Sequence, residues 1–207
     1  MSVECFNIER CLEKFNASLK DEDDVLLDEY LQGFEEINSF FHLMGTVFGF
    51  VSSDVRAKID ILADFRKKEN SEQFTSIKQM IEYEKSGGLL NDTSYVSGSR
   101  TLLRLHRGLE FVHEFLLRVG DLGECDKTSG CCKSAYNDTL SKHHSWLIRR
   151  GALVAMYAMP TKGELLKRVG VSQSRATEIL PDMLKATKIV HNRTESLYTL
   201  FELHELP

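Results

Sequence analysis

Three prolines in 207 residues leave long stretches in which nothing breaks a helix, and no stretch alternates apolar and polar residues strictly enough for a half-buried strand. The expected fold class is therefore all-α. Long apolar runs are also missing: FFHLMGTVFGFV and GALVAMYAM fall short of the roughly 18 residues a membrane-spanning helix needs, and they read as buried helical segments. The opening MSVECFNIERCLEKF places acids and a base where a secretory signal carries an unbroken apolar core, so a cytosolic chain is expected. Five cysteines, Cys5, Cys11, Cys125, Cys131 and Cys132, form neither the paired short spacings of a structural zinc site nor an even disulfide set, so no metal and no cofactor is expected. A positive overall charge is missing too. The net charge of -5 argues against a generally nucleic-acid-binding surface, and any anion site must be local.

What is present is ample apolar content, 42%, carried at helical spacing. Helices are expected at about 6–19, 25–43, 47–68, 71–84, 99–119, 132–157, 162–169, 173–187 and 189–201. SGGLLNDTSYVSG and GDLGECDKTSG have loop composition, but neither reads as an interdomain linker. A single domain over 1–207 is expected, its first 24 residues a helix, partly mobile, that covers the interior.

Three segments carry polar groups where a plain helical core would not. In VFGFVSSDVRAKIDILADF, a wheel advancing about 100° per residue puts Asp54 and Lys58 inside an apolar stripe with Val47, Phe50, Val51, Ile61 and Phe65. The pair reads either as an ordinary i, i+4 salt bridge or as a polar site at the edge of an apolar cavity, where a ligand partners the charges. In GSRTLLRLHRGLEFVHEFL, Arg100, Arg104 and Arg107 share one face, which Phe111 and Phe115 continue. Arg107 has Glu110 within reach, whereas Arg100 and Arg104 have no acid at i±3 or i±4. Two such guanidiniums one turn apart are either a solvated basic face or a fork for phosphate oxygens. In SKHHSWLIRR, His143, His144 and Trp146 enter what reads as a long apolar helix. His144 is a surface residue or a donor to a carbonyl, and Trp146 is core or a membrane-interface ring.

Taken in this order, the strings DVLLDEYLQGF, LMGTVFGFVSSDVRAKI, SGSRTLLRLHRGLEF and YNDTLSKHHSWLIRR resemble the glycolipid transfer protein superfamily from about Val25 to the terminal LHELP. The resemblance implies a two-layer all-α sandwich enclosing lipid chains. Sugar-binding members carry an Asn four residues after the key Asp and a Trp on the fourth helix; here those positions hold Lys58 and Arg104. That substitution resembles the phosphate-selective branch and implies transfer of ceramide-1-phosphate between membranes, with glycosphingolipid transfer as the alternative. By the same resemblance Asp54 accepts from the ceramide amide and hydroxyl, and His144 donates to the amide carbonyl. Lys58, Arg100 and Arg104 hold the phosphate, with Arg107 in support. The branch has a further basic residue in the loop before SGSR, where this chain reads LLNDTSYV, so that contact is left unassigned.

Lipid chains need an apolar lining, for which Phe40, Met44, Val47, Phe48, Phe50, Val51, Phe111, Phe115, Leu153 and Val154 are the candidates. Trp146, with Lys142, Arg149 and Arg150 nearby, is the candidate membrane contact. The expected partners are one lipid and two membranes touched transiently by a monomer. A DNA-binding reading rests on 161–193, where seven Lys/Arg stand against three acids in a helix-turn-helix-like string. It leaves Asp54, Arg100 and Arg104 without a role, and no nucleic-acid partner is expected. An enzyme would need an activated nucleophile, and no GxSxG elbow is present.

Overall fold

The computed structural model describes residues 6–206; Cys5 lies outside them. Nine helices appear among the described residues, packed as a two-layer all-α sandwich: α1 Ile8–Ala17, α2 Leu27–Leu43, α3 Gly49–Phe65, α4 Ile77–Ser86, α5 Gly98–Gly120, α6 Ser129–Asp138, α7 Trp146–Tyr157, α8 Lys162–Arg168 and α9 Gln173–Leu200. α5 is the hub, packing on α3, α4, α6 and α9, while α1 joins α2 to α9. Between α1 and α2, Leu19–Lys20 and Asp24–Val25 pair as a two-residue antiparallel hairpin. Arg193 on α9 donates to the carbonyls of Lys20 and Asp24 and fixes the hairpin there.

α1 packs on α2 and α9 through specific contacts. Asn7 caps it by accepting from the Arg10 amide, while its own amide donates to Glu36 of α2 at 2.8 Å. Phe15, fully buried, meets Tyr30 and Phe34 edge-on. A Cβ on Gly33 would stand 2.9 Å from the Phe15 ring, so the glycine, which weakens a helix by about 1 kcal/mol relative to Ala, is what lets α1 sit this close.

Two expected boundaries are corrected. The stretch 132–157 is not one helix. α6 stops at Asp138, a 3₁₀ turn covers Ser141–His143, His144 is extended (φ -104°, ψ 140°), and Ser145 starts α7 by accepting from the Ile148 amide. The cause is side-chain competition with the helix: Thr139 donates to the Ala135 carbonyl at 2.7 Å, and Ser145 caps a new helix instead of continuing the old one. Conversely, 173–187 and 189–201 are one helix of 28 residues, about 42 Å long at 1.5 Å per residue. Nothing at 188 breaks it, and it runs through Pro181, which removes one backbone donor.

Among the described residues no helix is long and apolar enough to cross a membrane. Three of the seven basic residues of the helix-turn-helix-like segment, Lys162, Arg175 and Arg193, have partners within the fold. Lys162 is buried and donates to the carbonyls of Gly120 and Leu122, and Arg175 pairs with Glu9 and Glu178.

Candidate functional site

The site begins with the mounting of α5. Glu84, on α4, is completely buried, and its carboxylate accepts from the Gly98 amide at 2.6 Å, the Ser99 amide at 2.9 Å and the Ser97 hydroxyl at 2.7 Å. A negative charge under a helix N-terminus meets unpaired amides and the positive end of the helix dipole. Ser97 in turn accepts from the Arg100 amide. The string SGSR is thus an anchor: Gly98 passes so close to Met80 that a Cβ would fall 2.5 Å from its sulfur.

From this anchor Arg100 and Arg104 project one turn apart. The Arg100 guanidinium folds back onto the carbonyls of Asp92 and Tyr95, the former at 3.0 Å, and so organises the LLNDTSYV loop. Arg104 is exposed and contacts the Arg100 carbonyl at 3.4 Å. Arg107 departs from this pair. It donates to the His204 carbonyl at 2.7 Å, is partly buried, and lines a separate cavity of about 210 Å³ with His143 and His204. Burial lowers its pKa, and the Arg104 charge adds to that.

On α3, Asp54 and Lys58 are joined. Lys58 Nζ lies 2.5 Å from Asp54 Oδ1 and 3.3 Å from the Asp54 carbonyl. The lysine side chain is 14% exposed and the aspartate 68%, so the base is sunk in the apolar stripe while the acid faces out. α3 packs on α5. His144 comes to the same place from the α6–α7 elbow. Burial holds its pKa below the usual value, with Asp54 pulling it up and Arg149 and Lys58 pushing it down; the imidazole is neutral at pH 7. Tyr136 of α6 holds it, hydroxyl to Nδ1 at 3.0 Å. Tyr136 and Glu84 have no expectation from the sequence. For Tyr136 the available signal is its spacing of eight residues from His144 across the DTLSKHHS turn; Glu84 carries none.

Of the candidate chain-lining residues, Met44, Phe48 and Phe115 are buried, and Phe40, Val51, Phe111 and Leu153 are partly so. Rings pack on rings: Phe41 stacks on Phe48 at 6.5 Å and Phe111 on Phe115 at 6.1 Å. Val47, Phe50 and Val154 are 41%, 48% and 65% exposed. Two cavities, of about 320 Å³ between α1 and α9 and about 210 Å³ beside Arg107, are lined by other residues. Trp146 and Leu147 open α7 at 68% and 72% exposure, with the Arg150 guanidinium 4.9 Å over the Trp146 ring. Ser52 lies 2.8 Å from His42 Nε2 but is buried and donates to Asn38, the arrangement of a packed polar contact and not of an exposed nucleophile. Cys11, Cys125, Cys131 and Cys132 are unpaired thiols.

An anchored arginine pair, a sunken lysine and an imidazole thus stand near an aromatic interior in a helical protein. Comparison with known proteins gives the family. Residues 25–171 match the family described as Glycolipid transfer protein (GLTP), and the chain belongs to this family. The ceramide-1-phosphate transfer protein of Danio rerio is 37% identical over 210 residues, which span 99% of this chain and 100% of that one. Among solved structures, the apo form of the mouse ceramide-1-phosphate transfer protein superposes with a TM-score of 0.92 at 37% identity, covering 98% of this chain and 100% of that one. The human ceramide-1-phosphate transfer protein in complex with 12:0 ceramide-1-phosphate gives 0.89 at 33%, with the same coverage.

Proposed function

We propose that this chain carries ceramide-1-phosphate between membranes as one lipid-transfer unit, without covalent chemistry, working in the cytosol and docking on bilayers transiently. The observation that carries the reading is the pairing of Lys58 with Asp54 on α3, a short step from His144, in a chain similar along its whole length to ceramide-1-phosphate transfer proteins.

The mechanism is an exchange of partners. Without lipid, Lys58 and Asp54 neutralise each other. A phosphomonoester brings roughly -1.5 to -2 charges and takes Lys58, joined by Arg100 and Arg104, whose forks suit phosphate oxygens. Asp54, released, accepts from the ceramide amide N–H and hydroxyl. In this exchange His144 carries its proton on Nε2 and donates it to the amide carbonyl, while its Nδ1, 3.0 Å from the Tyr136 hydroxyl, accepts from that hydroxyl. Both faces of the amide are then satisfied, which matters because a buried unpaired amide costs on the order of 1–3 kcal/mol. The chains enter by parting the rings that fill the interior, Phe48, Phe111 and Phe115 among them. Arg107 supports this site from behind, through its bond to the C-terminal turn.

The test is transfer of ceramide-1-phosphate and of a glucosylated ceramide between vesicles, with Arg104→Leu and Asp54→Val alongside. Fast transfer of the phosphate lipid, slow transfer of the sugar lipid and at least a tenfold loss, about 1.4 kcal/mol, in both folded variants is expected. Preferential transfer of the sugar lipid, or full activity in both variants, overturns the reading.

A further inference from the structure

Behind Arg107, where no function is yet assigned, three imidazoles and a carboxylate gather. His191 and Glu195 lie four residues apart on α9 and so share a face. His106 of α5 is 2% exposed and points at them, its Nε2 2.6 Å from Glu195 Oε2. The His191 ring stacks on that of His106 with centroids 4.4 Å apart. One ligand atom from each of the three residues lies within 4.8 Å of the other two. His204, in the turn after α9, brings its Nε2 to 3.7 Å from the other oxygen of Glu195.

We propose that His106, His191 and Glu195, with His204 as a fourth, form a binding site for one zinc-class divalent ion that ties α5 to α9 and the C-terminal turn. The contact between His106 and Glu195 is by itself an adequate hydrogen bond. It leaves Nδ1 of His106 and Nδ1 of His191 buried with no hydrogen-bond partner, and imidazole nitrogens in that state are what a borderline-soft cation takes. Donors around a tetrahedral zinc ion stand about 3.3 Å apart at metal–ligand distances near 2.0–2.1 Å, so side-chain movements of about 1 Å close the site. The adjoining cavity of about 210 Å³ admits the ion and a coordinating water. Its wall carries Glu110 and Glu205, which favour a cation, and Arg107 and Lys142, which oppose one; affinity on the order of micromolar is expected, weaker than a closed structural site.

The experiment is titration of the chelator-stripped full chain with zinc chloride against a chromogenic competitor, and thermal unfolding with equimolar zinc or magnesium. The expected result is one zinc ion per chain and a rise in Tm of about 3 °C or more that magnesium does not reproduce. His191→Ala and Glu195→Gln each weaken zinc at least tenfold while the metal-free variants keep wild-type helical circular dichroism. If His191→Ala is unstable, Glu195→Gln alone decides. No zinc bound at micromolar concentration, or equal binding by wild type and variants through the other histidines, overturns the proposal.

Discussion

α5 and α7 begin alike and end up in opposite surroundings. Each opens at a serine whose hydroxyl accepts from the amide three residues on, Arg100 for Ser97 and Ile148 for Ser145. Ser97 is 2% exposed and rests on the buried Glu84 carboxylate. Ser145 faces solvent and is followed at once by exposed Trp146, Leu147 and Ile148. A cap backed by a buried charge makes the helix start a fixed mount, which suits side chains that must meet a phosphate at set positions. A cap in water leaves the first turn held only by its own chemistry, which suits apolar groups that meet a deformable bilayer.

The largest effect that tests this contrast is Glu84→Ala. It strands two buried amides and a hydroxyl under α5, and each lost charge-assisted bond is worth about 1.5–3 kcal/mol. A loss of about 3 kcal/mol or more in urea unfolding is expected. A loss below about 1 kcal/mol means that α5 is held by packing alone and the mount is not special.

Next come the caps themselves. Ser145→Ala removes a single long bond at the surface, 3.5 Å, and is expected to lose about 0.5 kcal/mol; Ser97→Ala also removes one of the two donors to Glu84 Oε2, which keeps the Ser99 amide, and about 2 kcal/mol is expected. Urea midpoints of the two variants give the ratio directly, and equal losses erase the distinction between the two helix starts.

The same contrast decided what the sequence made legible. Helical periods placed α2, α3 and α5 along the chain, but the expected α3 stripe is not as a whole its core: Val47, Phe50 and Asp54 are exposed, while Ser52, Ile59, Leu62 and Phe65 are buried. The absence of acids near Arg100 and Arg104 marked those two side chains before any fold was known. The joining of Asp54 to Lys58 is likewise local, four residues on one helix. The elbow was not legible from periodicity, because apolar spacing continues from α6 into α7 while Thr139 and Ser145 divert the backbone; only a reading of hydroxyls as competitors finds it. His144 and Tyr136 meet across that elbow, so their pairing depends on a break that periodicity hides. Glu84 reads as one more surface acid in EYEKS, and its burial is decided by where α5 lands. Which side of a helix apolar on both faces meets solvent, as at Val47, Phe50 and Val154, is likewise a tertiary outcome.

Acid acts on the elbow, and also on His113 and His191, whose pKa values burial lowers too. His143 titrates at about 4 and His144 below its usual value. Burial is the first cause for both; for His143, whose edge meets solvent, the charges of Arg107 and Lys142 and the neighbouring His144 contribute as well. Folded pKa values below the unfolded value of about 6.5 mean that the unfolded chain binds more protons between those limits, so stability falls as pH drops from 6.5 toward 4 and is intact above 6.5. His143→Gln flattens that slope in unfolding free energy against pH. An unchanged slope assigns the acid sensitivity to other groups. The effect is modest, because solvent reaches the ring and screens it.

A small change in stability, and the sharpest test of what the α7 start is for, is Trp146→Ala. The ring is 68% exposed and its contact with Arg150 is a surface cation–π pair of about 0.5–1 kcal/mol, so unfolding shifts by no more than about 1 kcal/mol. Burying an aromatic side chain in an apolar phase is worth about 1.5–3 kcal/mol, enough for roughly a tenfold fall in affinity for phospholipid vesicles. The two numbers therefore move independently if α7 presents its first turn to the bilayer: vesicle binding drops while the urea midpoint stays. If the unfolding free energy drops by about 2 kcal/mol and vesicle binding holds, Trp146 serves the fold, and the α7 start is a second structural mount like that of α5.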